Sequence, residues 1–219
     1  MGSSRSAIAV AAGVGASALI VAATWVATAP AAGARAATAP CATTGYFYDG
    51  VATTRFVRGI AATVEATRLP TVRSGHVAAW VGVGGVHEGP AGANSWLQTG
   101  LVALPHGSLR LYVEYVFPRH SRRFLDLGPA YVGRTYLIAV AEVRSGRWRA
   151  SVDGVTAGPP VRVPSAEGGW RGVATAETWT AGRAACNHSS YSLGFVSERD
   201  DRGHWRAAND ASPIAGGVG

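Results

Sequence analysis

A chain of 219 residues with 47% apolar side chains has room for one domain with a real core, which excludes global disorder. Glycine is abundant (29 residues) and charge is sparse (15%), a balance that favours short strands and tight turns over long helices. The formal charge of +7 rests on arginine alone, with no lysine, so it reads as the bias of a GC-rich coding sequence and does not by itself define a partner.

The chain opens with "MGSSRS", whose one charge is Arg5, followed by the uncharged run "AIAVAAGVGASALIVAATWVATA". "PAAGARAATAP" then offers Ala34-x-Ala36 as a cleavage site. A basic start, an apolar stretch and small residues before the cut make a secretory signal peptide over 1–36, and predict an extracellular protein. The run is long enough to span a bilayer if uncleaved, but its alanine and glycine content makes it a weak anchor. Cys41 follows "TAP" without a lipoprotein signature, so no membrane attachment is expected after cleavage. Residues 37–44 are read as an N-terminal arm. In an oxidising compartment Cys41 and Cys186 make one disulfide plausible, pinning that arm to a late segment.

From residue 45 onward the pattern is all-β. "RGIAATVEATRLP" alternates and stops at Pro70; "HVAAWVGVGG" is apolar and stops at paired glycines; "VHEGPAGAN" is a turn. "NSWLQTGLVAL", "GSLRLYVEYVFP", "YVGRTYLIAVAEV", "GRWRASVDG", "VRVPS", "GVATAETW" and "YSLGFVSE" follow as further short strands bounded by Gly, Pro, Asn or Ser. No segment keeps a helical period. The series predicts two packed antiparallel sheets, a β-sandwich of jelly-roll type, over 45–205, with 206–219 as a flexible tail. The six histidines show no metal-ligand spacing and read as loop residues, so neither metal nor cofactor is expected. The clusters "PRHSRR" and "RSGRWR" read as solvated loop charge, and no nucleic-acid partner is expected.

Side chains alternate across a strand, so residues two apart share a face. One face collects Trp80, Gly82 and Gly84; Trp96, Gln98 and Gly100; Arg110, Tyr112 and Glu114; and Thr175, Glu177 and Trp179. The opposite face is largely aliphatic and must pack on the second sheet. The mixed face has the makings of a groove, in which glycines leave space, Trp and Tyr form walls, and Gln and Glu supply hydrogen bonds. On an ordinary exposed face Gln98 and Glu114 would instead satisfy one another or solvent.

"TVEATRLP", "AAWVGVGG", "WLQTGL", "YVEYVFP" and "VGRTYLIAVAEV…WRASVDG", in that order and spacing, resemble the eqolisin-type glutamic peptidases. The resemblance covers roughly residues 45–195. It implies a lectin-like (concanavalin A-like) β-sandwich and a secreted, acid-acting endopeptidase. It also implies a Gln/Glu dyad in which Gln98 holds the attacking water and stabilises the oxyanion. The base is Glu177 if the family's late glutamate and following aromatic match "ATAETW", which makes Trp179 that aromatic. Matching without gaps puts Ala181 there instead. Trp80, Trp96, Tyr112, Glu114 and Trp179 are the expected substrate-binding residues, and the partner is a polypeptide taken by a monomer. The chain departs from the pattern at Gly84 and Arg110, where the family has acids, and at "YVEYVFP", where two tryptophans are missing.

Two functions follow: an acid-acting peptidase using Gln98 and Glu177, or a non-catalytic sandwich binding peptide or glycan in the aromatic groove. A serine hydrolase lacks its G-x-S-x-G elbow here. A glycosidase would need Glu114 and Glu177 to flank one bond.

Overall fold

Alternating patterns and frequent turn residues resolve, among the described residues, into thirteen strands. The computed structural model describes residues 44–118, 121–165, 170–180 and 187–218. The expected signal peptide, Cys41, Cys186 and Ala181 lie outside the described residues.

The strands are β1 (Gly45–Val57), β2 (Gly59–Ala66), β3 (His76–Gly85), β4 (Ser95–Ala103), β5 (Arg110–Val116), β6 (Arg123–Pro129) and β7 (Thr135–Arg144). There follow β8 (Arg147–Val152), β9 (Val155–Arg162), β10 (Trp170–Thr180), β11 (Tyr191–Arg199), β12 (Trp205–Ala207) and β13 (Ser212–Val218). They form two sheets, a seven-stranded one ordered β13-β1-β10-β3-β4-β5-β6 and a six-stranded one ordered β12-β11-β2-β7-β8-β9. Neighbouring strands are antiparallel in both sheets. This is the β-sandwich predicted from the sequence.

The aliphatic faces meet between the sheets. Val77, Ala79, Val81 and Val83 of β3, Leu97 and Leu101 of β4, and Ala174 and Ala176 of β10 pack against Ile60, Ala62 and Val64 of β2 and Ile138 and Val140 of β7. Most of these side chains are fully buried, and each buried valine, leucine or isoleucine stabilises the fold by about 1.5–3 kcal/mol. The layered burial fixes register, because a one-residue slip would turn every apolar side chain outward.

The sandwich does not end at residue 205. The segment expected as a flexible tail supplies β13, which pairs with β1 from Tyr46↔Val218 to Ala52↔Ser212. β12 pairs with β11, and Arg206 on it donates to the buried carboxylate of Glu198 at 3.0 Å. Arg55 of β1 donates to the same oxygen through Nε at 3.0 Å, so one buried glutamate ties three strands together.

Candidate functional site

The outer face of the seven-stranded sheet carries a cavity of about 890 Å³. Six of the seven residues singled out in the sequence line it: Trp80, Trp96, Gln98, Tyr112, Glu114 and Glu177. They come from β3, β4, β5 and β10, whose inward neighbours are the core valines and leucines, so the period of two along each strand aims them outward together. Trp179 shares the face but stands beside the cavity, with its ring stacked on Tyr46 at 6.0 Å between centroids and 5.7 Å from His76.

Gln98 sits on β4, with Glu114 of β5 as its direct cross-strand partner on one side and Gly82 of β3 on the other. Its Nε2 donates to the Tyr112 hydroxyl at 3.0 Å. Tyr112 is almost fully buried beneath Phe124, whose ring stacks on it at 5.3 Å, so the amide is held by a fixed group. Beyond Gly82 the register continues to Val173 of β10. A Cβ at Gly82 would lie 2.8 Å from the Gln98 Cβ and 3.1 Å from Cζ3 of Trp80. The missing side chain is therefore what lets the indole lie across β3 beside the amide.

Glu114 is 9% exposed. It accepts a hydrogen bond from Trp96 Nε1 at 3.1 Å, and Arg122 Nε approaches its other oxygen at 3.9 Å. Burial pushes its carboxyl above the ordinary range; Arg122 and the Trp96 bond pull it back, and Glu177 pushes it further up. Glu114 and Gln98 thus do not simply satisfy one another, since each has its own protein partner.

Glu177 is 5% exposed and has both oxygens engaged, Oε1 with His76 Nε2 at 2.6 Å and Oε2 with the Trp80 indole N–H at 2.8 Å. It pairs with Ala78, which pairs with Val102 of β4, four residues along from Gln98. That register sets the Gln98 and Glu177 backbones about 16 Å apart, from about 4.8 Å per strand and 3.3 Å per residue. Both line one cavity, but the Trp80 ring stands between them. Glu114 and Glu177 are three strands and four residues apart, about 20 Å between backbones.

The sequence reading missed Tyr46, Tyr48, His76, Arg122 and Phe124, all of which line the cavity. His76 is a strand residue, not a loop one. Tyr46 and Tyr48 stack at 6.2 Å, and Tyr48 meets Trp80 edge-on. Burial first, then Glu177, raises the Tyr46 and Tyr48 hydroxyls, and burial raises that of Tyr112. These tyrosines therefore stay protonated and act as hydrogen-bonding walls. Among the described residues no three His, Cys, Asp or Glu side chains gather as a metal site, and no helix is long and apolar enough to cross a membrane.

No protein-family model and no curated protein matches the sequence. Among solved structures, the chain is similar to scytalido-glutamic peptidase bound to a peptide-based transition state analog. The TM-score is 0.51 at 16% identity, covering 80% of this chain and 90% of that one. It is also similar to SCP-B, a member of the eqolisin family of peptidases in complex with the tripeptide Ala-Ile-His (TM-score 0.45, 15% identity, 81% and 89% covered). A family 7 alginate lyase, A1-II′, in complex with product is similar at a TM-score of 0.43 and 14% identity, with 70% and 65% covered. The likeness to scytalido-glutamic peptidase establishes a shared sandwich fold, the one the resemblance implied.

Proposed function

We propose that the protein is a secreted, acid-acting endopeptidase of the glutamic type, which takes an extended polypeptide across the outer face of its seven-stranded sheet. The observation that carries this reading is the Gln98 amide. It is neutral, held by a buried tyrosine, and shares an aromatic-walled cavity with two buried carboxylates. A neutral N–H donor placed where the tetrahedral oxyanion forms lowers the barrier without burying another charge, an effect of about 10²–10³ in rate. A carboxylate within reach of the attacking water supplies the base, and working conditions near a glutamate's own pKa follow from that choice. Among the described residues that line the cavity, Arg122 and His76 stand beside two carboxylates, a balance better suited to a neutral peptide backbone than to a polyanionic sugar.

The test is to incubate the purified mature chain with denatured protein at pH 2–5 beside Gln98→Ala. Cleavage that falls about 100-fold in the variant supports the reading; cleavage undiminished in the variant refutes the role of the amide. A second reading, a groove that binds peptide without cutting it, is favoured by one observation: Glu177, the residue matched to the family's base, is four residues out of register with Gln98. Retention of peptide by a chain that never cleaves it would decide for binding.

A further inference from the structure

We infer that Glu114, and not Glu177, is the carboxylate that works with Gln98. The inference rests on the peptidase reading and departs from the dyad implied by the sequence resemblance.

Three observations carry it. Gln98 and Glu114 are direct partners on adjacent antiparallel strands, a placement that sets their Cβ atoms about 4.5–5.5 Å apart on one face. Their side chains leave the sheet side by side, so one water can touch both the amide and the carboxylate. Second, the oxygens of Glu177 are taken by His76 and Trp80, and the Trp80 ring lies between that carboxylate and Gln98. Third, Glu114 keeps capacity free. Trp96 bonds one oxygen, and Arg122, itself largely exposed, stands 3.9 Å from the other.

The groups that set the charge state of Glu114 are Arg122 and His76, which favour its ionised form, and Glu177, which opposes it; burial opposes it most. The carboxyl therefore holds its proton to higher pH than an exposed glutamate does, so kcat/KM should rise as pH climbs through that raised value and the carboxylate forms.

In the reaction, Glu114 takes a proton from water as the water oxygen bonds to the peptide carbonyl carbon. The carbonyl electron pair moves onto oxygen, where the second N–H of the Gln98 amide donates to it, the first being held by Tyr112. The oxyanion then re-forms the carbonyl, the C–N bond breaks, and Glu114 returns its proton to the leaving nitrogen. Water is consumed, and a carboxylic acid and an amine leave. Glu177 holds Trp80 and His76 in place and so positions the wall.

The test measures kcat/KM against a denatured protein at pH 2–6 for the wild type, Glu114→Gln and Glu177→Gln, with peptide affinity and thermal melts alongside. The expected result is a loss of about 100-fold or more for Glu114→Gln at nearly unchanged affinity. Glu177→Gln, which only disturbs the wall, should lose no more than about tenfold. If Glu114→Gln does not fold, Glu114→Asp replaces it, and a carboxylate drawn back by one methylene should lose about 100-fold. Loss confined to Glu177→Gln, or equal loss in both, overturns the inference while leaving the peptidase reading intact. Absence of cleavage by the wild type overturns both.

Discussion

The indole N–H of Trp80 donates to Glu177 Oε2 at 2.8 Å, although the two residues are not cross-strand partners. Trp80 pairs with Thr175, and Glu177 pairs with Ala78, so the bond runs diagonally between β3 and β10. A diagonal of this kind ties the wall of the cavity to its polar floor.

Trp80→Phe keeps most of the apolar ring and deletes the donor. A carboxylate oxygen on a residue 5% exposed then loses its partner, which costs about 1–3 kcal/mol. Urea denaturation at neutral pH should show that loss as a lower midpoint with an unchanged slope. An unchanged midpoint would mean that water replaces the indole without cost.

Glu114 should make stability depend on pH. Its folded-state carboxyl titrates above the unfolded value of about 4.3, because burial disfavours the charged form. The folded protein then binds that proton more tightly than the unfolded chain. The contribution is fully present below the unfolded pKa and is lost as pH rises through the folded one. Glu114→Gln removes the titration but keeps an acceptor for Trp96. The variant should keep a constant offset from the wild type below about pH 4, then gain on it as pH rises from the unfolded value through the raised folded one, in urea midpoints. A difference that stays flat across that range would refute the raised carboxyl.

The alternation of β3, β4, β5 and β10 was legible because each strand packs one face on a second sheet, and packing enforces a period of two. That period is why Trp80, Gln98, Tyr112, Glu114 and Glu177 could be placed on one face from the sequence. It says nothing of register between strands, so Glu177 could be matched as the partner of Gln98 although Val173 occupies the aligned position on β10. β1 was hidden because Tyr46 to Ala52 are all half-buried, so no alternation of buried and exposed positions marks the run that carries Tyr46 and Tyr48. His76 carried no motif; it matters only because β3 begins beside Trp179 on β10.

Gly82 should tolerate no side chain. A methyl group there would stand 2.8 Å from the Leu97 carbonyl oxygen, which the strand ladder holds fixed, and 2.8 Å from the Gln98 Cβ. Gly82→Ala therefore forces the strands or the Gln98 side chain to shift. Overpacking of this kind costs about 1–3 kcal/mol. Displacement of Gln98 by an ångström should also cost about 100-fold in turnover if the amide stabilises the transition state. Thermal melts and kcat/KM on the same sample separate the two effects. A stable variant with full activity would show that the cavity floor yields freely.

Removing residues 212–219 should change association more than stability. β13 adds a ladder along β1, and each such hydrogen bond contributes about 1 kcal/mol. Ordering each residue costs about 1–2 kcal/mol, so the two nearly cancel and the urea midpoint should move little. The edge left behind is another matter. β1 is thirteen residues long, and without β13 a run of its backbone donors and acceptors becomes a template for another chain. In the intact protein that outer position is held by a strand carrying Pro213, whose missing N–H suits an edge. Size-exclusion chromatography of the truncated chain should therefore show dimers or larger species at concentrations where the full chain does not. The same truncation takes Ile214 from the cavity rim next to Tyr48, so peptide affinity should weaken in the monomeric fraction. A truncated chain that stays monomeric would show that the bulge in β1 protects the edge without β13.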